Sequence, residues 1–448
     1  MSKEKPTISR GIARVVFSKF AKKYLRQYGW FKLKKSIRYA YDTSPFYHKL
    51  FKKYHVKPSD IKSFKDMNKI PFTNPEDLQD DPKSFFSVSE NKFVKFFTTA
   101  GTTGKPKKVY FTKKDLNRLV SSAETGMQLM YNITHRDVIR ISFDEGYGME
   151  VWGNRYCLDR AFGRIGAMTI SMGKLAVEDE LKILREYKPT ILTDTSSRIN
   201  YLTNEMKKIY NLETLGINKI LIGAEPTPNA MRKNIENTWN ADAFIGYGLT
   251  EIGLLLGGEC EKKQGMHLSE IDFLTEVVDP KTGEQVEDGE IGELIFTTYD
   301  REGMPLIRYR SHDLGKIIPE MCSCGLPLKR IEIKGRTDDM IPVGSGDNLY
   351  SRNFDDVLFG ISEVADYQVI FDRKNGKDHL TVVVETELIK ETTRKKIFDA
   401  VINIPRIKNG VFVSKTIEKP KVELVKQNTL NRKSIKAKRI VDNRNLYD

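Results

Sequence analysis

The sequence has few cysteines and no long apolar segment. It contains four cysteines among 448 residues, so the disulfide framework that braces small secreted proteins is not expected. No run of about 18 apolar residues occurs, which argues against a membrane-spanning helix. The N-terminus carries lysine and arginine but no apolar block followed by a small-residue cleavage site, so we expect no secretory signal. These absences favour a cytoplasmic globular protein of about two to four structural units.

The formal net charge of +14 raises the question of polyanionic partners. The excess is local, because basic residues crowd the stretch 3–53 and a second cluster spans 426–444, while the middle is roughly balanced. Such runs are commonly solvated helix faces, but nucleotides, acidic proteins or a membrane surface would also suit them. Apolar residues at helical spacing in the first stretch predict an amphipathic helix packed on the body of the protein. They are Ile12, Val15, Val16, Phe20, Tyr24 and Leu25.

The order of apolar segments predicts an α/β fold. Short β-branched runs at 137–143, 190–193, 219–222 and 243–245 alternate with longer amphipathic segments. From about 274 to 318 the pattern changes to strand-like runs separated by turns, which indicates a β-rich part. Beyond residue 335, strand-like runs at 367–371 and 379–385 indicate a second, small unit. We therefore expect a large N-terminal domain, 1–335, with a β-rich part at about 257–333, and a small α+β C-terminal domain, 336–448.

A loop of small and hydroxyl-bearing residues at 98–106 lies between two β-like segments. Its glycines would let backbone N–H groups approach phosphate oxygens, while threonine hydroxyls and a lysine add donors and charge. It is not a Walker A loop, since Pro106 and another strand follow the lysine where that motif opens a helix. Taken alone, a flexible hairpin tip explains it equally well. The candidate phosphate-binding residues are Thr98, Thr99, Gly101, Thr102, Thr103, Gly104 and Lys105.

Three further motifs follow the loop in order: Gly-Tyr-Gly-Leu-Thr-Glu at 246–251, Tyr-Arg-Ser-His-Asp-Leu-Gly at 309–315, and Lys-Gly-Arg-Thr-Asp-Asp-Met-Ile at 334–341. Together the four resemble the adenylate-forming superfamily of acyl-CoA synthetases, nonribosomal adenylation domains and luciferases. Segments at 44–47, 69–73, 304–310 and 365–369 resemble its phenylacetate-CoA ligase branch. The resemblance implies a large domain and a mobile small domain, and a ligase that uses MgATP to convert a carboxylic acid, expected to be aromatic, to an acyl-AMP. The acyl group would then pass to a thiol, either coenzyme A or a phosphopantetheine carrier protein.

The resemblance also implies roles for single residues at the nucleotide. Thr250 would contact the α-phosphate, Glu251 would hold Mg²⁺, and Tyr247 would pack on adenine. Asp313 would accept both ribose hydroxyls, and Arg336 would add charge near the ribose and phosphate. Hard Mg²⁺ prefers carboxylate and phosphate oxygens, and an ionised carboxylate suits two hydroxyl donors. The loop beside the adenine would be Gly223, Ala224, Glu225 and Pro226.

The basic tail resembles the family's last motif, in which a lysine bridges the carboxylate and the α-phosphate. Lys436 falls on that position, and a point cation there would stabilise negative charge in the transition state. Ile435 stands where the family usually has glycine, so Lys433 and Lys438 stay open as alternatives. Asp338 matches the hinge on which the small domain turns between two poses.

The resemblance places the acid pocket at Tyr147, Gly148, Gly246 and Gly248. An aryl or arylacetic acid would fit there, while Asp144 and Glu145 leave a hydroxylated or amino-bearing acid open. The segment 344–348 departs from the family's run near the acceptor tunnel. Coenzyme A is the favoured acceptor, and an acidic phosphopantetheine carrier protein or another acceptor stays open as the alternative.

Three cysteines and one histidine bracket the β-rich part. Thiolates and imidazole are the usual tetrahedral Zn²⁺ ligands, and a Cys-x-Cys turn in a cytoplasmic protein favours metal over a disulfide. Cys260, His267, Cys322 and Cys324 are therefore a candidate structural zinc site, with unligated thiols as the alternative, and Cys157 is expected to be buried.

Two different classes of function compete with the ligase. A zinc-stabilised basic protein that binds nucleic acid would explain the charge, but no basic motif interleaved with aromatics accompanies it. A protein of this fold kept for binding or scaffolding is the other alternative, because Ile435 and His312 are altered positions. No nucleic acid is expected, and the sequence leaves monomer and homodimer open.

Overall fold

The computed structural model describes residues 10–99, 106–142, 153–173, 175–337, 341–343, 347–427, 429–430 and 439–444, with side chains from residue 21 onward except at 347 and 348. They form two compact units. The first comprises Met1–Thr195, Leu215–Ala224 and Asp242–Ile333, and the second Ser196–Thr214, Glu225–Ala241 and Lys334–Asp448. The domain division after residue 335 stays a prediction, since the second unit also takes two segments from the middle of the chain.

The first unit begins with helices and a hairpin. α1 buries Leu33, Ile37 and Ala40, whereas Tyr24 is 66% exposed. The N-terminal helix was expected to pack through Tyr24, but its buried face lies further along the chain, and the side chains of residues 12–20 lie outside the described part. The elements are α1 Arg10–Thr43, α2 Pro45–Lys53, α3 Pro75–Asp80, β1 Phe93–Thr98, β2 Lys108–Thr112 and α4 Lys113–Tyr131.

Parallel strands form the centre of the first unit. β5 is buried along its whole length, as expected of a strand covered on both faces. The four β-branched runs found in the sequence are strands here and pair in parallel. The elements are β3 Val138–Ile141, α5 Asn154–Ile165, β4 Met168–Ser171, α6 Val177–Tyr187, β5 Ile191–Thr195, α7 Ser196–Met206, β6 Lys219–Gly223, α8 Asn229–Trp239 and β7 Asp242–Tyr247, of which α7 and α8 belong to the second unit.

A buried charge cluster joins two of these strands to α6. Arg140 on β3 is fully buried and lies 2.8 Å from the Asp194 carboxylate on β5. Its guanidinium also pairs with the buried Glu180 on α6, and Ser142 donates a hydrogen bond to Asp194. Since buried charges are tolerated only when paired, this cluster fixes the spacing of these elements.

The β-rich part predicted from the sequence continues the same sheet. β7 pairs antiparallel with β8, and β8 with β9. The eleven strands therefore follow the order β10-β11-β12-β13-β9-β8-β7-β6-β5-β3-β4. The added strands are β8 Gly257–Glu259, β9 Met266–Leu268, β10 Phe273–Val278, β11 Gly292–Thr298, β12 Tyr309–Ile318 and β13 Arg330–Arg336.

The second unit has its own four-stranded sheet, in the order β18-β17-β16-β19. Both strands predicted in this region are present, and their inward residues, such as Tyr367, Val369 and Phe371, are fully buried. Its C-terminal elements are β14 Ile341–Val343, β15 Asp347–Leu349, α9 Ser351–Leu358, β16 Asp366–Lys374, β17 Lys377–Glu385, α10 Glu391–Ile402, α11 Pro405–Phe412, β18 Lys421–Val425 and β19 Ile440–Asp442.

A second buried ion cluster anchors β19 in this unit. The Arg439 guanidinium lies 3.6 Å from Asp355 and 3.4 Å from Asp366, and Tyr367 donates a 2.8 Å hydrogen bond to Asp355. Burial raises the pKa of Asp355 to about 6, although Arg439 opposes the shift.

Among the helices that the structure describes, none has both the length and the apolar character of a membrane-spanning segment.

Candidate functional site

The candidate site begins at the carboxyl ends of β6 and β7, the edge at which parallel sheets commonly bind ligands. Gly223 ends β6, and a side chain there would lie 3.6 Å from the Gly246 carbonyl oxygen on β7. Tyr247 is the last residue of β7. A Cβ atom at Gly248 would lie 1.7 Å from the Leu254 carbonyl oxygen, so the turn requires glycine. The turn that follows β7 therefore folds back closely on its own backbone at Gly248.

Asp313 reaches this edge because β12 is irregular. Arg310 is paired with Ile295 of β11 and Leu314 with Glu293, so β12 has two more residues than its partner between these pairs. His312 has a φ of 61° within this bulge. Such bulges redirect side chains next to functional sites. The Tyr247 hydroxyl donates a 2.6 Å hydrogen bond to Asp313 Oδ2, which joins two of the predicted nucleotide residues.

Glu293 holds the bulge from the neighbouring strand. Its carboxylate is fully buried, accepts a 3.0 Å hydrogen bond from the backbone N–H of His312 and a 2.9 Å bond from Arg310 Nε. The Ser311 hydroxyl accepts the backbone N–H of Asp313 at 3.0 Å. These bonds fix the backbone that leads into Asp313.

Glu251 is a buried carboxylate, 5% exposed, in the turn after β7. Its Oε1 atom lies 3.0 Å from the Lys107 ammonium and accepts a 2.8 Å hydrogen bond from the Tyr309 hydroxyl. Burial alone would raise the pKa of Glu251, but the Lys107 charge and these hydrogen bonds hold it below its usual value. The carboxylate is therefore ionised at neutral pH, as a metal ligand must be.

The base of the predicted phosphate loop lies beside this carboxylate. Thr98 ends β1 and is buried, while Thr99 exchanges two hydrogen bonds with Lys107, through its N–H at 3.1 Å and its hydroxyl at 3.2 Å. Thr250 is half-buried next to Glu251. The first unit thus brings Tyr247, Thr250, Glu251 and Asp313 to one edge of the sheet with the base of the loop.

Most of the other predicted residues belong to the second unit or lie outside the described residues, while Ala224 ends a segment of the first unit. Glu225 Oε2 accepts hydrogen bonds from the Ser196 hydroxyl at 3.1 Å and from the backbone N–H of Ser197 at 3.0 Å, at the start of α7, so this carboxylate caps that helix. Ala224 has a φ of 67°, Pro226 follows in the second unit, and Arg336 is the last residue of β13. Gly101, Thr102, Thr103, Gly104, Lys105, Tyr147, Gly148, Asp338 and Lys436 lie outside the described residues.

The four predicted zinc ligands come together in the first unit. Cys260 follows β8, His267 lies on β9, and Cys322 and Cys324 lie in the turn after β12. All are buried, and their ligand atoms lie within 4.8 Å of one another. The Sγ atoms of Cys260 and Cys322 are 3.6 Å apart, and Cys324 Sγ lies 3.4 Å from His267 Nε2. Tetrahedral zinc bonds of about 2.3 Å to sulfur and 2.0 Å to nitrogen would place such pairs about 3.8 and 3.5 Å apart, so these residues fit the ion. Cys157 is buried, as expected.

Sequence reasoning did not identify Lys107, Tyr309 and Glu293 as members of this site. Lys107 is the second lysine of the Lys-Pro-Lys-Lys run at 105–108, and the sequence pattern indicated only the first, Lys105. Tyr309 directly precedes the arginine of its own motif. Glu293 was detectable as the charged residue next to the apolar run Leu294–Phe296 of β11.

Comparison with known families agrees with this geometry. The family described as AMP-binding enzyme matches residues 42–300. The AMP-binding enzyme C-terminal domain matches residues 346–444. The chain therefore belongs to the AMP-binding enzyme family.

Individual relatives place the chain in the phenylacetate-CoA ligase-like branch that the sequence predicted. The phenylacetate-coenzyme A ligase of Thermus thermophilus is 33% identical over 83% of this chain and 84% of its own length. That of Pseudomonas putida is 30% identical over 94% of both chains. The expected phenylacetate-CoA ligase-like branch, and with it an adenylate-forming acid–thiol ligase, is thereby confirmed.

Solved structures support the fold. A 2-hydroxyisobutyryl-CoA ligase in the postadenylation state, in complex with 2-HIB-AMP, superposes with a TM-score of 0.83 over 98% of this chain and 94% of its own, at 21% identity. This likeness confirms the predicted fold class.

Proposed function

We propose that this protein activates a carboxylic acid with ATP and transfers the acyl group to coenzyme A. A carboxylate oxygen attacks the α-phosphorus of ATP, and the bond to pyrophosphate breaks. The thiol of coenzyme A then loses its proton, its sulfur attacks the acyl carbon, and the bond to AMP breaks. The observation that carries the proposal is the arrangement of Tyr247, Asp313 and Glu251 at the carboxyl edge of the sheet.

The nucleotide roles follow from chemistry at that edge. The Tyr247 ring would lie on adenine, and its hydroxyl orients the Asp313 carboxylate toward the ribose hydroxyls. Glu251, with Thr250 beside it, would hold magnesium, which supplies charge neutralisation at the phosphates. The threonines and glycines of 98–105 would hold the phosphates through N–H and O–H donors.

The catalytic lysine and the hinge belong to the same proposal. Lys436, with Arg336, would place positive charge against the carboxylate and the α-phosphate during adenylation. Asp338 would be the hinge at which the small domain changes pose between the two half-reactions.

The acid is proposed to be aromatic. The two ligases above carry phenylacetate in their names, and their identity to this chain supports an acid of that class. The pocket would comprise Tyr147, Gly148, Gly246 and Gly248. Of these, Gly246 lies on β7 and Gly248 in the turn that follows it, so they would border the pocket through their backbone.

The experiment that tests the function is acid-dependent exchange of labelled pyrophosphate into ATP. We expect exchange with phenylacetate or a related aryl acid, and more than a hundredfold loss in both Lys436→Ala and Glu251→Ala. Absence of exchange with aryl, arylacetic and fatty acids alike would refute the function. Full exchange by Lys436→Ala, with loss in Lys433→Ala or Lys438→Ala, would move the catalytic role to another tail lysine.

Adding the acceptor tests the second half-reaction. With wild-type protein and the active acid, coenzyme A should yield the acyl thioester with release of AMP. Thioester formation on a phosphopantetheine carrier protein, with none on coenzyme A, would refute this choice of acceptor.

We also propose a structural zinc ion on Cys260, His267, Cys322 and Cys324. The buried position and the close fit of the distances to tetrahedral zinc support it. Metal analysis of the purified protein should find about one zinc per chain. The Cys322→Ser variant should bind no zinc and should melt at a lower temperature than the wild type. Cys157→Ser is the matched control, since that thiol is buried away from the cluster. Zinc-free protein that melts at the same temperature as the zinc-loaded form would contradict the proposal.

A further inference from the structure

The helix α1 has an exposed face to which the proposed reaction gives no role. Its inner side is fixed to the first unit, where Leu33 is fully buried and the Ser36 hydroxyl accepts a 3.1 Å hydrogen bond from the backbone N–H of Asp300. On the opposite side, Tyr24 is 66% exposed and Phe31 is 61% exposed. Because the inner side is anchored, the two aromatic rings stay directed toward the solvent.

These two rings lie on one line along the helix. Tyr24 and Phe31 are seven residues apart, which is almost two full turns and about 10 Å along the helix axis. The exposed Lys35 and Arg38 follow Phe31 by four and seven residues, so they continue the same line. In the sequence, Phe17 precedes Tyr24 by the same seven residues. The outer side of α1 therefore combines aromatic rings with cations.

The charge of this helix is almost entirely positive. α1 contains ten basic residues and one acidic residue, Asp42, and that carboxylate accepts a 2.8 Å hydrogen bond from Arg38. Lys23, Lys34 and Lys35 are exposed, and none of them forms an ion pair with a carboxylate in the part of the chain that the structure describes. Their charges are thus available to an anionic partner.

A flat anionic surface suits this combination better than other polyanions do. Aromatic rings settle at the depth of lipid headgroups, and lysine can hold its ammonium among the phosphates while its stem lies along apolar surface. Proteins that stack single-stranded nucleic acid on aromatic rings line a positively charged groove. Tyr24 and Phe31 instead project from the outward side of a helix.

We propose that the outer face of α1, defined by Lys23, Tyr24, Phe31, Lys34 and Lys35, docks this protein on membranes that contain anionic lipid. The helix lies in the plane of the headgroups, with the two rings inserted among them and the lysines beside the lipid phosphates. The inference does not rest on the proposed function, because docking involves neither the nucleotide nor the acid.

The test is co-sedimentation of the full chain with lipid vesicles. Binding to vesicles of phosphatidylcholine mixed with phosphatidylglycerol should be at least tenfold tighter than binding to phosphatidylcholine alone. It should weaken as the salt concentration rises from about 0.1 M to about 0.5 M, because salt screens the charges. Equal binding to both kinds of vesicle, or binding to neither, overturns the inference.

A double variant tests the aromatic rings. Tyr24→Ala combined with Phe31→Ala should weaken binding to the anionic vesicles at least tenfold and leave the melting temperature unchanged, since both rings are exposed. The matched control is Tyr187→Ala combined with Phe412→Ala, at a tyrosine and a phenylalanine that are 44% and 55% exposed. The control should change binding less than twofold, and equal effects of the two pairs overturn the inference.

A triple variant tests the charges. Each basic residue near an anionic surface strengthens binding about fivefold, so replacing Lys23, Lys34 and Lys35 together by glutamine should weaken it about a hundredfold. Three exposed lysines elsewhere serve as the control and are changed together in the same way: Lys281, Lys374 and Lys395. A loss of the same size in the control overturns the inference.

Fluorescence reports the contact without removing a ring. When anionic vesicles are added, the emission that Phe31→Trp adds to that of the wild type should shift to shorter wavelength, as for a tryptophan that leaves water. The emission added by Phe412→Trp should not shift. A shift in both variants, or in neither, overturns the inference.

The same variants identify other occupants of the outer face. An oligothymidine that binds the wild type but not the Tyr24→Ala and Phe31→Ala double variant, without vesicle binding, would assign the face to single-stranded nucleic acid. Self-association that disappears in that double variant, without vesicle binding, would assign it to a second copy of this chain. Either result overturns the inference and leaves the proposed function unaffected.

Discussion

Replacing Asp313 with asparagine isolates the charge of one carboxylate at the nucleotide site. The side chain is 7% exposed and held by the 2.6 Å hydrogen bond from Tyr247. An amide of the same shape keeps one acceptor oxygen, and its N–H₂ group could donate to the tyrosine hydroxyl. Asp313→Asn should therefore keep the local structure and change mainly the strength of the proposed bonds to the ribose.

The size of the effect follows from two hydrogen bonds. A bond to a charged acceptor contributes about 1.5–3 kcal/mol, and a neutral one about 0.5–1.5 kcal/mol. Weakening two ribose bonds by about 1 kcal/mol each costs about 2 kcal/mol, or about 30-fold in kcat/KM for ATP. Asp288→Asn, in an exposed turn of the same unit, should have no effect.

The assay compares ATP with 2′-deoxy-ATP in acid-dependent pyrophosphate exchange. If Asp313 accepts the 2′-hydroxyl, the wild type should prefer ATP, and the Asn variant should lose about fivefold of that preference, the equivalent of about 1 kcal/mol. If the Asn variant instead loses the same factor in kcat/KM with ATP and with 2′-deoxy-ATP, Asp313 does not contact the 2′-hydroxyl. The ribose assignment would then be wrong.

Three further predictions concern stability and the turn at the site. Arg140→Met should lower the free energy of unfolding, measured by urea denaturation, by about 3–5 kcal/mol, because it leaves buried carboxylates without their cation. The control Arg164→Met, at a partly exposed arginine, should cost less than about 1 kcal/mol. A loss that small for Arg140→Met would contradict the prediction. Asp355 has a folded-state pKa raised to about 6, so its contribution is complete well below pH 4, the range of the unfolded pKa, and is lost as pH rises through 6. The stability of the wild type relative to Asp355→Asn should accordingly fall by about 2 kcal/mol between pH 4 and pH 7.5, and a pH-independent difference would refute the shift. Gly248→Ala should abolish pyrophosphate exchange because its Cβ would collide with a backbone oxygen, whereas Gly163→Ala, in an open position on α5, should leave it unchanged; exchange by Gly248→Ala at the wild-type rate would contradict the close approach.

The parallel strands were predictable because burial on both faces requires continuous apolar, β-branched runs. Residues 190–193 and 219–222 show this pattern, and β5 and β6 follow it closely. The sequence did not reveal that the β-rich part joins the same sheet. That depends on the antiparallel pairing of the short strand β8 with β7, and three residues are too few for a periodic signal.

The candidate site was predictable where a motif places several functional residues in one short segment. Tyr247, Thr250 and Glu251 lie within five residues of one another. The contacts that hold them come from distant positions: the bulge in β12 brings Asp313 to Tyr247, and Tyr309, on the regular part of the same strand, donates to Glu251. Such contacts depend on tertiary structure, so they cannot be predicted from secondary-structure propensity or from the spacing of residues in the sequence.

The continuous sheet limits how the protein can be divided. β7, which ends at Tyr247, is hydrogen-bonded on one side to β6 and on the other to β8. A fragment that stopped after the glycine-tyrosine motif would therefore expose a new edge strand in the middle of the sheet, and unpaired edges invite aggregation. A fragment meant to keep this sheet intact should therefore extend through β13, to Arg336, so that among the described strands β10 and β4 stay at the edges, as in the whole protein.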